Sequence, residues 1–121
     1  MKKFKQFVKE TLEYYLTETH TTEYTYTIKY IKTDEDSRLA TISIDGTYLN
    51  FEIFIYPYLK RTYDKDPREA KETICHEVCH LLTDPLNDII CRLQEGKFIT
   101  QEEVESVHER QTQRICNSIF R

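Results

Sequence analysis

A chain of 121 residues, 39% of them hydrophobic, suffices for one domain with one modest core and excludes a second catalytic domain, since domains cluster at about 100 to 150 residues. Seventeen Lys and Arg against 21 Asp and Glu leave a net charge of −4, with no basic cluster denser than Met1-Lys2-Lys3-Phe4-Lys5, which disfavours sequence-independent phosphate binding and hence a nucleic-acid partner. Two glycines in all exclude a glycine-rich phosphate loop and a dinucleotide fingerprint.

Behind the N-terminal lysines, Gln6, Lys9, Glu10 and Glu13 interrupt any apolar stretch, and no run approaches the roughly 18 apolar residues of a membrane span. The expectation is a cytoplasmic protein without a membrane partner. Over residues 3–16, Phe4, Phe7, Val8, Leu12, Tyr15 and Leu16 recur at three and four, the period of an amphipathic helix. The period changes to two over 23–32, where Tyr24, Tyr26, Ile28 and Tyr30 share one face of a strand that is either core or an interface. Thr33-Asp34-Glu35-Asp36-Ser37 reads as a turn. A second strand follows over 38–44 and a third over 47–58. Asp45-Gly46 between them fits a two-residue hairpin, because that turn needs positive φ. The hairpin would set Ile44 opposite Thr47, Ile42 opposite Leu49 and Ala40 opposite Phe51, giving a three-stranded antiparallel meander.

Pro57 should end the third strand, and 60–67 reads as a charged connection. Asp66 as N-cap, Pro67 as first helical residue and Glu69 in the first turn open a helix. It should run to Thr83 and stop at Asp84-Pro85, since the residue before a proline is pushed out of the helical region. A shorter helical piece over 85–93 would be broken by Glu95-Gly96-Lys97. Thr100 with Glu103 forms a capping box that opens a last helix reaching Phe120. The fold class is therefore α+β, as one domain over 1–121.

The chemistry lies on the fifth element, the helix that Pro67 opens, in His76-Glu77-Val78-Cys79-His80. Histidines at i and i+4 stand one above the other on a helix, so both imidazoles reach one Zn²⁺, and Glu77 falls beside the metal's open position as general base. A zinc-bound water has its pKa brought to about 7, and Glu77 would take its proton as the water attacks a carbonyl. The plainer reading is a buried helix whose histidines are satisfied in the core. Against it, the flanking Ile74, Cys75, Val78, Leu81 and Leu82 are apolar, and an unmetallated pair there would be awkward to bury. Cys75 and Cys79 lie about 100° from the histidine stripe and read as small core residues. No disulfide is expected among the four cysteines, which read first as free thiols and second as metal ligands.

Such a site needs a third protein ligand. The last helix offers Glu102, Glu103, Glu105, His108 and Glu109. Its apolar face of Ile115, Cys116, Ile119 and Phe120, carried back by threes and fours, reaches both Glu109 and Glu105 with His108 between them. Asp84, one turn beyond His80, either supports a zinc histidine or ends the helix. His108 or Tyr63 is a candidate to stabilise an oxyanion.

His76 to His80 followed by Leu81-Leu82-Thr83-Asp84-Pro85-Leu86 resembles the small zincin-like metallopeptidases of gluzincin type, and in particular short phage and prophage proteins with H-E-x-x-H-L-L-x-x-P-L. The chain is also distantly similar to the ImmA/IrrE-type peptidases. There the downstream glutamate is followed at three, six, seven, ten and eleven by small or apolar residues, and from Glu109 those offsets give Thr112, Ile115, Cys116, Ile119 and Phe120. The resemblance implies a minimal zincin-like fold in which His76, His80 and Glu109 hold Zn²⁺ and Glu77 is catalytic. It further implies hydrolysis of a peptide bond in a protein or peptide substrate, with 47–58 as an edge strand that pairs with it. The helical apparatus by which ImmA/IrrE-type peptidases recognise a repressor is absent, so a repressor substrate is not implied. Two alternatives stand beside this reading. One is a metal-bound but non-catalytic zincin-fold binding or inhibitor protein that occludes a partner. The other is a structural zinc closed by Cys79, His108 or Asp84.

Overall fold

In the computed structural model, which describes residues 1–33, 37–93 and 101–120, the elements in chain order are α1 (Lys2–Glu18), β1 (Thr25–Tyr30), β2 (Ala40–Asp45), β3 (Asn50–Ile55), α2 (Pro57–Lys65), α3 (Pro67–Leu93) and α4 (Gln101–Ile119). The α+β class agrees with the periodicity of the sequence. No described helix is long and apolar enough to cross a membrane. The turn expected at 33–37, the breaker at 95–97 and the cap at Thr100 fall wholly or partly outside the described residues.

Helix α1 buries the face its spacing predicts: Phe4, Val8, Leu12, Tyr15 and Leu16 are all buried. It ends where His20 turns to φ 57 and the Thr21 N–H donates back to the Leu16 carbonyl at 2.9 Å, a left-handed C-terminal stop.

The sheet departs from the expected meander. Its order is β1-β3-β2, with β1 parallel and β2 antiparallel to β3, so the sheet is mixed. The reason lies in composition: β3 alternates fully buried Phe51, Ile53 and Ile55, and the most apolar strand takes the centre, where both of its backbone edges are paired. Residues 47–58 are therefore not the free edge that the resemblance implied; that position falls to β2 and β1. Register differs as well. Ala40 faces Ile55, Ile42 faces Ile53 and Ile44 faces Phe51, four residues from the pairing expected of a two-residue turn. The cause is Asp45, whose Oδ1 accepts the N–H groups of Thr47 (3.1 Å) and Tyr48 (3.4 Å) and so folds a four-residue loop. The positive φ falls on Leu49 (φ 51). Because the shift is even, each side chain keeps its face.

The tyrosines of the first strand belong to the core. Tyr26 stacks on Phe51 at 5.7 Å and donates its hydroxyl to Glu13 at 2.8 Å, while Tyr30 meets Phe4 edge-on. Replacing the central Ile53 by Ala is expected to lower stability by about 2–5 kcal/mol, read as a shifted urea midpoint at unchanged slope.

Two helical expectations are corrected. Residues 60–67 are not merely a charged connection, since 60–65 are helical: Pro57 ends β3 and at once opens α2, where its missing N–H costs nothing. Helix α3 does not stop at Asp84-Pro85 but runs unbroken to Leu93. A proline inside a helix removes one hydrogen bond and need not end it when the flanking turns are held elsewhere. Here Thr83 is held by hydrogen bonds to α4. Helix α3 is the axis of the molecule, packed against α1, α2, α4 and β2, and buries Ala70, Ile74, Cys75, Val78, Cys79 and Leu81.

Candidate metal centre

The phase of α3 is set at its start. Asp66 Oδ1 accepts the Arg68 N–H at 3.1 Å and Pro67 supplies a preset φ, as the sequence predicts. Two to three turns on, His76 and His80 project toward α4 with ring centroids 5.0 Å apart. Both Nε2 atoms aim at one carboxylate, His76 at Glu109 Oε2 (3.2 Å) and His80 at Glu109 Oε1 (3.1 Å). One ligand atom from each of the three lies within 4.8 Å of the others.

The donor set fits a metal. Without an ion, each neutral imidazole can offer Glu109 an Nε2–H; an ion would take the same three groups by the lone pairs those protons occupy. Two imidazole nitrogens and a carboxylate oxygen suit a zinc-class divalent ion with a further position left open. The ring of His80 is held from behind, its Nδ1 3.4 Å from Thr112 Oγ1. Thr112 in turn donates to the His108 carbonyl (2.9 Å) and shares a hydrogen bond with Thr83 (2.8 Å). A proton on His80 Nδ1 would find an acceptor in Thr112 and leave Nε2 free to ligate, the arrangement that orients metal-bound histidines. His76 Nδ1 is buried with no partner among the described residues, so this support is one-sided there. Thr112→Val, which keeps the shape and removes the hydroxyl, is expected to weaken metal affinity about 10- to 100-fold, measured by competition with a chelator.

Glu77 is buried, 8% exposed, beside the three ligands. Burial pushes its carboxyl up to about 8, and the charge of Glu109 adds to the shift. Burial likewise holds His80 below the usual histidine range, with Glu109 pulling the other way. Glu77 lines two open hollows. One of about 420 Å³ is walled by Leu39, Ala40 and His76, the other of about 290 Å³ by Thr41, Ile42, Ile44, His80 and His108. Both lie in the cleft between β2 and the helices α3 and α4.

Of the other expected residues, Glu102, Glu103 and Glu105 are exposed and lie outside the ligand group. His108 also lies outside that group: its Nε2 is hydrogen-bonded to Thr83 Oγ1 at 2.6 Å, and its ring lies 5.1 Å from that of His80. Asp84 lines the smaller hollow within the helix instead of ending it. Tyr63 packs on Phe4 and Phe7, at 5.3 and 4.5 Å, and does not line the cleft. Cys79 joins Cys75 and Cys116 in a separate buried group. The sequence did not single out Thr83, although its spacing, one turn after His80, was there to be read. The β2 wall depends on register and could not be read from spacing. No protein-family model, curated protein or solved structure matches the chain.

Proposed function

We propose that the chain is a zincin-like zinc metallopeptidase of the small phage and prophage type, cleaving a peptide bond in a cytoplasmic protein. One observation carries this reading: two imidazole nitrogens and the Glu109 carboxylate converge beside a buried glutamate that lines an open cleft. Zinc held by His76, His80 and Glu109 would supply Lewis acidity, polarising the scissile carbonyl and making a water more acidic. Glu77 takes a proton from the attacking water and returns it to the leaving amine. Zinc at the neighbouring groups would oppose the upward shift that burial imposes on Glu77 and so favour the ionised form that accepts the proton. Of the two oxyanion candidates, only His108 lines the cleft. Strand β2 is paired with β3 on one side only among the described residues. A substrate segment adding to its other edge would lie along the cleft, across the ligand group.

The competing reading, a binding protein that occludes its partner, would be favoured by a blocked cleft. Among the described residues the space on both sides of Glu77 is open.

The test begins with metal content. Elemental analysis should find about one zinc per wild-type chain and far less in Glu109→Ala and His80→Ala. Zinc at about 100 times its Kd should stabilise the wild type by about 2.7 kcal/mol and leave Glu109→Ala unmoved. A folded wild type that neither carries zinc nor takes it up would overturn the proposal.

A further inference from the structure

Helix α3 carries two interleaved pairs at i and i+4, His76 with His80 and Cys75 with Cys79, offset by one residue and so by about 100° around the axis. Each pair meets one side chain of α4. The histidines meet Glu109, and the cysteines meet Cys116, seven residues further on and about 10 Å along the helix. The three sulfurs lie within 4.8 Å of one another, and all three residues are 0% exposed. None is in a disulfide.

Core filling alone asks only for small apolar volume at these positions and gives no reason for three sulfurs from two helices to converge. In a trigonal site with metal–sulfur bonds of about 2.3 Å, neighbouring sulfurs stand about 4 Å apart. The cluster therefore needs shifts of less than about an ångström to close on an ion. Two of the three thiols now rest against backbone carbonyls, Cys116 Sγ on Glu72 O at 3.6 Å and Cys75 Sγ on Cys116 O at 4.0 Å. Both can exchange that weak contact for a ligand bond.

We propose that Cys75, Cys79 and Cys116 form a second metal site, separate from the histidine centre and selective for a soft monovalent ion of the copper(I) class. The selectivity follows from the ligand count. Structural zinc is almost always four-coordinate, and among the described residues no fourth His, Cys, Asp or Glu joins the group. Thiolate sulfur favours soft ions, and three-coordination satisfies copper(I). Binding displaces one proton to solvent for each sulfur that ligates as thiolate; the metal is supplied already reduced, so no electron moves. Occupancy would pin α4 to α3 beside the histidine centre whether or not that centre is catalytic.

The test uses the full-length, fully reduced chain carrying Cys91→Ser, so that three thiols remain. It is titrated without oxygen with copper(I) in competition with a copper(I)-specific chelator, both after folding and during refolding. X-ray absorption then counts the ligands. The expected result is one copper(I) per chain with three sulfur neighbours and no nitrogen, retained in Glu109→Ala and lost, by at least 100-fold in affinity, in Cys116→Ser. Nitrogen ligation, copper retained by a folded Cys116→Ser, or a folded chain that never competes with the chelator would overturn it. Should Cys116→Ser fail to fold, Cys79→Ala and the sulfur count of the parent chain decide the matter.

Discussion

Glu77→Gln is expected to keep its zinc and lose hydrolysis by about 10²- to 10⁴-fold, the range a positioned general base contributes. The amide is isosteric and sits one residue from His76, but it cannot take a proton from water. Since Glu77 is not among the three converging ligands, metal content should stay at the wild-type level. Glu109→Ala should remove both metal and turnover. The split between the two variants distinguishes a catalytic centre from a structural one: a structural zinc would leave biological activity untouched by Glu77→Gln. Loss measured in kcat with KM nearly unchanged would place the effect in the transition state. A Glu77→Gln protein as active as wild type would sink the peptidase reading and favour the occluding partner.

How far these residues were legible beforehand depended on whether their geometry is local. His76, Glu77 and His80 lie within two turns of one helix, so sequence spacing fixes their relation. Glu109 comes from another helix, 29 residues beyond His80. The apolar face of that helix left Glu105 and Glu109 both open, and only the resemblance favoured Glu109. The sheet shows the opposite limit. Alternation assigned the faces of Tyr26, Ile42 and Ile53, but neither strand order nor register follows from alternation. A four-residue loop closed by Asp45 moved every partner in the hairpin by an even number and left the pattern intact. Because β1 pairs with β3, the free edge passed from the third strand to β2, and the wall of the cleft with it. Pro85 misled for a related reason: its cost to a helix is a local penalty, and the hydrogen bonds of Thr83 to Thr112 and His108 are tertiary. The cysteine cluster stayed hidden because Cys75 and Cys79 are sensible core residues on their own, and only the packing of α4 brings Cys116 to them.

The buried carboxylate should also reveal itself in the metal-free protein, without any substrate. Glu77 folds into a place that raises it from an ordinary 4.5 to about 8. Below about pH 4.5 it is protonated in both folded and unfolded chains and makes no difference. Between there and about pH 8 the unfolded chain has released a proton that the folded chain still holds, so stability falls as pH rises, by up to about 1.4 kcal/mol per unit. The accumulated loss is on the order of a few kcal/mol. His80, depressed by burial, works in the other direction: the folded chain resists its protonation, and stability falls as pH drops below the ordinary histidine range. Metal-free wild type should therefore be most stable in mildly acidic solution and weaken on either side. Glu77→Gln should flatten only the alkaline arm, with its advantage over wild type small near pH 5 and largest near pH 8 in urea denaturation with chelator present. A pH-independent difference would mean that Glu77 is not desolvated as the fold indicates. Saturating zinc should shrink the same slope in wild type, because a dication between Glu109 and the histidines offsets the negative charge that helps keep Glu77 protonated.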